Sequence, residues 1–197
     1  MNGSLLARVA LAVLLTSALA GCASTSAHFY SLDSTARPEA SPPLETSIMV
    51  GPVTIPSDVD RPQLVRQVGP NQVTIDEFNR WASPLDANVA RVVAGNLEVL
   101  LGTSDVTVSS AANTNAAYQV DIDVERFQSP PDNSALVEAL WTVRRSADGG
   151  SRSGHTLARE MLQGNGVDGL VAAYSRALNQ LSRDIAAAIR AEDAVKQ

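Results

Sequence analysis

The chain has 197 residues, room for one ordinary domain and a leader. Hydrophobic residues make up 45% of it, a globular composition, but aromatics only 4%, so the core must be built mainly from Leu, Val, Ile and Ala. A formal net charge of -6 argues against a sequence-independent grip on nucleic acid, which needs a basic surface to release counterions. With Cys22 as the one cysteine, no intramolecular disulfide is possible, and cysteine usage does not report the redox compartment.

The N-terminus reads as a targeting segment. Arg8 and the amino terminus supply positive charge, Val9 to Leu15 (VALAVLL) is an unbroken apolar run, and the small residues Ala20 and Gly21 precede Cys22. This is the secretory pattern, and the run falls short of the roughly 20 apolar residues that a spanning helix needs. Leu19-Ala20-Gly21-Cys22 resembles the bacterial lipobox, the alternative being a plain secretory leader with a chance cysteine. The resemblance implies that residues 1–21 are a lipoprotein signal peptide, that the Cys22 thiol carries diacylglycerol, and that Cys22 becomes the first mature residue. Two acyl chains anchor stably where one is marginal, so the membrane is the first expected partner. Ala23 stands where inner-membrane enterobacterial lipoproteins favour aspartate, which by the same resemblance implies the periplasmic face of the outer membrane. No cofactor beyond the lipid on Cys22 is expected.

Residues 22–27 form an acylated tether, and residues 28–191 the domain, followed by a tail over 192–197. His28 to Leu32 is a short candidate strand, and Asp33 to Ser47, rich in Pro, Ser and Thr, a surface loop. Ile48 to Ile55 is strand-like, with Pro52 suited to an edge or a bulge. Val68 to Asn71 (VGPN) predicts a hairpin between Gln63–Arg66 and Gln72–Asp76. A helix over 84–101 has Ser83 as predicted N-cap, Pro84 in its first turn and Gly102 as its left-handed stop. Its stripe is Leu85, Val89, Val92, Val93, Leu97, Leu100 and Leu101.

Asp105 to Ser109 alternates as a strand, and Tyr118 to Gln128 does so strictly. Tyr118, Val120, Ile122, Val124 and Arg126 fall on one face, and Asp121, Asp123 and Glu125 on the other. Ala135 to Arg145 is the antiparallel partner, with a helix as the alternative. Ser146 to Gly154 is a flexible turn and His155 to Leu162 a returning strand. A second helix over 168–190, with Asp168 as predicted N-cap, carries Leu170, Val171, Tyr174, Leu178, Leu181, Ile185 and Ile189 at helical spacing. Its polar face is not rich in Lys and Arg, so the stripe reads as core rather than membrane surface. The fold class is α/β: a single domain with a mixed, largely antiparallel sheet covered by two main amphipathic helices.

The inventory for catalysis is thin. His28 and His155 are the only histidines, and no spacing resembles a zinc site, a nucleophile elbow or a phosphate loop. Asp121, Asp123 and Glu125 are spread too widely along a strand for a compact calcium loop and read as a solvated face. Asp60, Arg61 and Pro62 before one strand, and Arg80 and Trp81 before a helix, are candidate partner-binding residues, since Arg and Trp tend to anchor interfaces. The competing reading pairs Arg61 with a carboxylate and puts Trp81 in a corner of the core.

The stretches FYSL, VGPVTIPSDVDRPQLVRQ, FNRWASPLDANVARVVAGNLEVLL, YQVDIDVERFQ and GLVAAYSRALNQLSRDIAAAI, in that order, resemble the ABC-type transport auxiliary lipoproteins of the PqiC (paraquat-inducible protein C) type. DRPQLV and RWASPL are the most diagnostic, while residues 129–166 match loosely. The resemblance implies a non-enzymatic outer-membrane lipoprotein. Its partners would be an MCE-domain protein and an inner-membrane permease moving lipids or other hydrophobic molecules between membranes, and it permits a homo-oligomer. Two other classes are an envelope hydrolase, which needs a polar cleft with convergent carboxylates or a histidine, and a lipid carrier, which needs an enclosed apolar cavity of several hundred Å³.

Overall fold

The computed structural model describes residues 26–108 and 115–194; the leader, Cys22 and the last residues of the tail lie outside them. Within that range the strands are β1 (His28–Tyr30), β2 (Ile48–Thr54), β3 (Gln63–Gly69), β4 (Gln72–Trp81), β5 (Val106–Val108), β6 (Tyr118–Gln128), β7 (Ser134–Arg145) and β8 (Ser151–Met161). The helices are α1 (Leu85–Leu101) and α2 (Gly166–Ala194). The α/β class holds, but the strands form two sheets. A three-stranded sheet has the order β1-β4-β3 and a five-stranded one β5-β2-β6-β7-β8. Both are mixed: β1 runs parallel to β4, and β2 parallel to β5 and β6, while the remaining pairs are antiparallel. The sheets meet where the Gln67 N–H donates to the Ser129 hydroxyl at 3.3 Å. Pro130 and Pro131 follow and have no N–H with which to continue a ladder.

Both apolar stripes are buried as the spacing predicts. α1 packs on β2, α2 on β7 and β8, and the helices on each other. α1 starts one residue later than expected. Pro84 is the cap, Ser83 contributes no side-chain bond, and the Asn88 amide instead donates to the Ser83 carbonyl at 3.3 Å. Gly102 stops the helix at φ 67, its N–H donating to the Glu98 carbonyl. α2 begins at Gly166, which puts Asp168 in the first turn, where it still complements the helix dipole. It continues past 190, so Glu192 is helical and pairs with Arg152 at 3.0 Å.

Asn96 on α1 is fully buried and fastens the segment after β1. Its carbonyl oxygen accepts from the Ser34 hydroxyl (2.7 Å) and from the Thr35 and Ala36 N–H groups (3.1 Å each). Its amide donates to Ser182 on α2 at 3.0 Å.

Two sequence expectations fail for identifiable reasons. The alternation of β6 breaks between Val124 and Arg126, so Arg126 turns outward and Phe127 enters the core at 3% exposure. Residues 151–154 belong to β8 rather than to a turn. Gly154 faces Trp141 across the ladder, and a Cβ there would lie 2.1 Å from Trp141 Cζ2, so the glycine makes room for an indole.

Candidate docking surface

The structure brings the two sequence-selected segments together. The Trp81 N–H donates to the Pro62 carbonyl at 2.7 Å, and Gln63 is the cross-strand partner of Arg80. Asp60, Arg61 and Pro62 thus sit beside Arg80 and Trp81 at the end of the three-stranded sheet nearest α1. A turn over residues 57–59 shapes the approach: the Asp60 N–H donates to Pro56 and the Arg61 N–H to the Val59 carbonyl.

The five residues play different parts. Trp81 is 6% exposed and belongs to the core. Its ring packs edge-on against Phe127 (6.2 Å) and Tyr174 (6.4 Å), which stack on each other at 3.9 Å. Burial pushes the Tyr174 hydroxyl well above the usual phenol range. Arg80 is half-buried and folds back on its own strand, its Nε donating to the Glu77 carbonyl at 2.9 Å. Asp60 and Pro62 are exposed. Arg61 is half-buried, forms no ion pair among the described residues, and has a buried Nε without a hydrogen-bond partner. The carboxylate of the competing reading is not found among the described residues.

Sequence reasoning missed the apolar face that extends from this corner. Phe29 pairs with Arg80, and Phe78 is exposed in the irregular stretch of β4 beside it. Along β3, Gln63, Val65 and Gln67 share a face, and the last two oppose Ile75 and Val73. The register shifts between Gln63 and Leu64, leaving three β4 residues unpaired, so a two-residue alternation in the sequence loses its phase. Asp76 organises the shift by accepting from the N–H groups of Phe78 (3.1 Å) and Asn79 (3.0 Å). Burial pushes its carboxyl up, but these bonds and the Asn79 amide hold it below the ordinary value. Phe29 is 65%, Val73 52%, Phe78 47% and Ile75 40% exposed.

The outer face of the five-stranded sheet mixes ion pairs with the exposed Leu140, Leu157 and Met161. Arg144 pairs with Asp121 at 2.8 Å, and the Thr54 hydroxyl donates to Asp123. Glu125, Glu138 and His155 hold ligand atoms within 4.8 Å of one another, a set with the chemistry to hold a cation. Glu138 already has His155 on one oxygen (2.9 Å) and Arg126 on the other (3.1 Å). The His155 bond, then the Arg126 bond, hold its carboxyl below the ordinary range. A metal would have to displace a guanidinium, so the arrangement reads as an ion-pair network. His155 lies within β8, in the returning strand that the sequence predicts, on an open face.

An open groove of 670 Å³ runs between residues 29–37 and α2. Asp33, Arg37, Asp168, Arg176 and Arg183 give it a charged lining.

The family described as ABC-type transport auxiliary lipoprotein component matches residues 30–186. The chain belongs to this family. No curated protein matches it. Among solved structures, protein XCC0632 from Xanthomonas campestris, of the DUF330 family, superposes with a TM-score of 0.69 at 17% identity, covering 86% of this chain and all of its own (100%). A crystal structure of an uncharacterized protein gives a TM-score of 0.68 at 21% identity, over 84% of this chain and 99% of that one. A PelC dodecamer from Paraburkholderia phytofirmans is similar only at a TM-score of 0.41 and 15% identity, over 78% and 90% of the two chains. The first two share the fold of this auxiliary lipoprotein domain. Among the described residues, no helix is long and apolar enough to cross a membrane.

Proposed function

We propose that this auxiliary lipoprotein is a non-catalytic docking component, anchored through Cys22 to the periplasmic face of the outer membrane. There it engages an MCE-domain protein, and through it an inner-membrane permease, in moving lipids or other hydrophobic molecules. The observation that carries the reading is the corner at Asp60, Arg61 and Pro62 beside Arg80. The half-exposed Arg61 guanidinium has no carboxylate partner among the described residues, and an acidic or carbonyl-rich partner surface would supply one. The charged, open groove against α2 suits a protein or solute surface better than an acyl chain, which favours docking over a carrier role. The exposed His155–Glu138 pair, already tied to Arg126, lacks the water-excluded cleft that a hydrolase requires.

The test is photocrosslinking in cells from a residue replacing Asp60 or Pro62, with mass identification of what is captured. The reading expects a periplasmic MCE-domain partner. Capture from a control site such as Asp123 but not from this corner would overturn it. Mass analysis of the N-terminal peptide checks the anchor, and an unmodified Cys22 would end the lipoprotein reading.

A further inference from the structure

We infer that the apolar face of the three-stranded sheet lies against the bilayer that holds the anchor, making a second, non-covalent membrane contact. This inference rests on the acylation of Cys22.

The face carries Phe29, Phe78, Ile75 and Val73, each at least 40% exposed, with Val65 half-buried among them. Four large apolar side chains exposed on one small sheet are unusual for a surface that meets only water. The helices pack on the five-stranded sheet; on this side of the small sheet Val65 reaches the core and lines a small pocket with Val59 and Val73, while Phe29, Ile75 and Phe78 stay exposed.

Chain length selects the occupant. Six residue steps separate Cys22 from His28, and an extended chain covers at most about 3.6 Å per residue, so β1 starts within about 20 Å of the acylated sulfur. Phe29, the most exposed aromatic of the face, is the second residue of β1. The anchor therefore brings this sheet to the lipid surface before any protein partner binds. Once tethered, the face meets lipid at high effective concentration, and a weak contact suffices.

Charge agrees. A chain of net charge -6 would be repelled by anionic headgroups over most of its surface. On this face Arg80 is paired with Glu77 at 3.5 Å, the Glu77 carboxylate also accepts from Gln63, and Gln67 is neutral, so the patch carries no net charge. The carboxylates Asp121, Asp123 and Glu125 sit on the outer face of the other sheet.

The test uses the full-length acylated chain in vesicles of phosphatidylethanolamine and phosphatidylglycerol. With Cys22 blocked by its lipid, a single Ile75→Cys or Asp123→Cys substitution carries an environment-sensitive fluorophore. The expected result at position 75 is a blue shift on vesicle binding and loss of most emission to nitroxide-labelled lipids. The label at 123 should keep its aqueous spectrum. Adding Phe29→Ser and Phe78→Ser should return position 75 towards the aqueous spectrum while the protein still floats with the vesicles. A water-like label at 75 on a floating protein overturns the proposal, as does equal quenching at 75 and 123. A blue shift without nitroxide quenching also overturns it, in favour of a protein occupant such as a second copy. The mass of the Cys22 peptide, read on the same sample, separates these outcomes from failure of the anchor: an unmodified Cys22 removes the tether on which the inference rests and overturns it too.

Discussion

The five-stranded and three-stranded sheets use the same kinds of residue to opposite ends. In the larger sheet, Val120, Ile122, Val124, Val137 and Val143 are all buried at 2% exposure or less beneath two helices, and on the opposite face the exposed Leu140, Leu157 and Met161 are interspersed with ion pairs. In the smaller sheet, the side bearing Leu64 and Trp81 is buried, and the other buries Val65 in part but leaves Val73, Ile75, Phe29 and Phe78 in the open. Apolar content alone does not define core. What defines it is whether another layer arrives to cover the face.

That contrast is easiest to break at Trp81. Its replacement by alanine should cost about 3–5 kcal/mol of folding free energy, the range for large aromatic deletions from a core. Ile75→Ser, on the uncovered side, should shift stability by no more than about 0.5 kcal/mol, as surface changes do. Urea unfolding of both variants decides the matter, and equal losses would show that the small sheet is packed on both sides.

Asn96→Ala probes the junction between the sheets and the helices. It strips the hydrogen-bond partner from Ser34, Thr35 and Ala36 and should cost about 1–3 kcal/mol. Hydrogen exchange at the Thr35 and Ala36 amides should accelerate first. Unchanged protection there would place the fastening elsewhere.

At Arg61 the expected effect moves from folding to binding. Arg61→Ala removes a guanidinium that has no ionic partner among the described residues, so stability should stay within about 0.5 kcal/mol. Loss of a binding hot spot of about 2 kcal/mol would weaken complex formation roughly thirty-fold. A variant that unfolds, or that assembles normally, assigns the residue to the scaffold.

The smallest effect is electrostatic. The hydrogen bond from Arg145 holds the Asp148 carboxyl down to about 2. Because this folded-state value lies below the ordinary value of about 3.9, the contribution of the pair is present above about pH 4 and is lost as pH falls towards 2. Carboxyl chemical shifts should show Asp148 titrating last in acid, and Arg145→Gln should return it to the ordinary range.

Much of this architecture was legible in the sequence because local rules sufficed. The α1 stripe ends where Gly102 stops it, β6 runs over the predicted residues, and β7 is a strand although Ala, Leu and Glu left a helix open. Departures arose where a distant residue decided. Gly154 looks like turn punctuation until Trp141 lies across it. Arg126 looks inward-facing until a bulge reverses the phase. Division into two sheets depends on a long-range meeting of β3 with Ser129, which no periodicity encodes. The docking corner was half legible. Composition singled out Asp60, Arg61, Pro62, Arg80 and Trp81, but only strand pairing brings them together and consigns Trp81 to the core. The apolar face was hidden because the irregularity in β4 breaks the alternation that would have revealed it.

The Asn96 fastening has a mechanical consequence. A domain held by its N-terminus feels every pull on the anchor first at β1, whose three residues run parallel to β4. Tension along that strand strains its bonds together, and the load then reaches Ser34, Thr35 and Ala36, where one buried amide passes it to both helices. With the proposed anchor at Cys22, the leash is tied to the body of the molecule rather than to its smallest strand, so that a pull on it is borne by the helical layer.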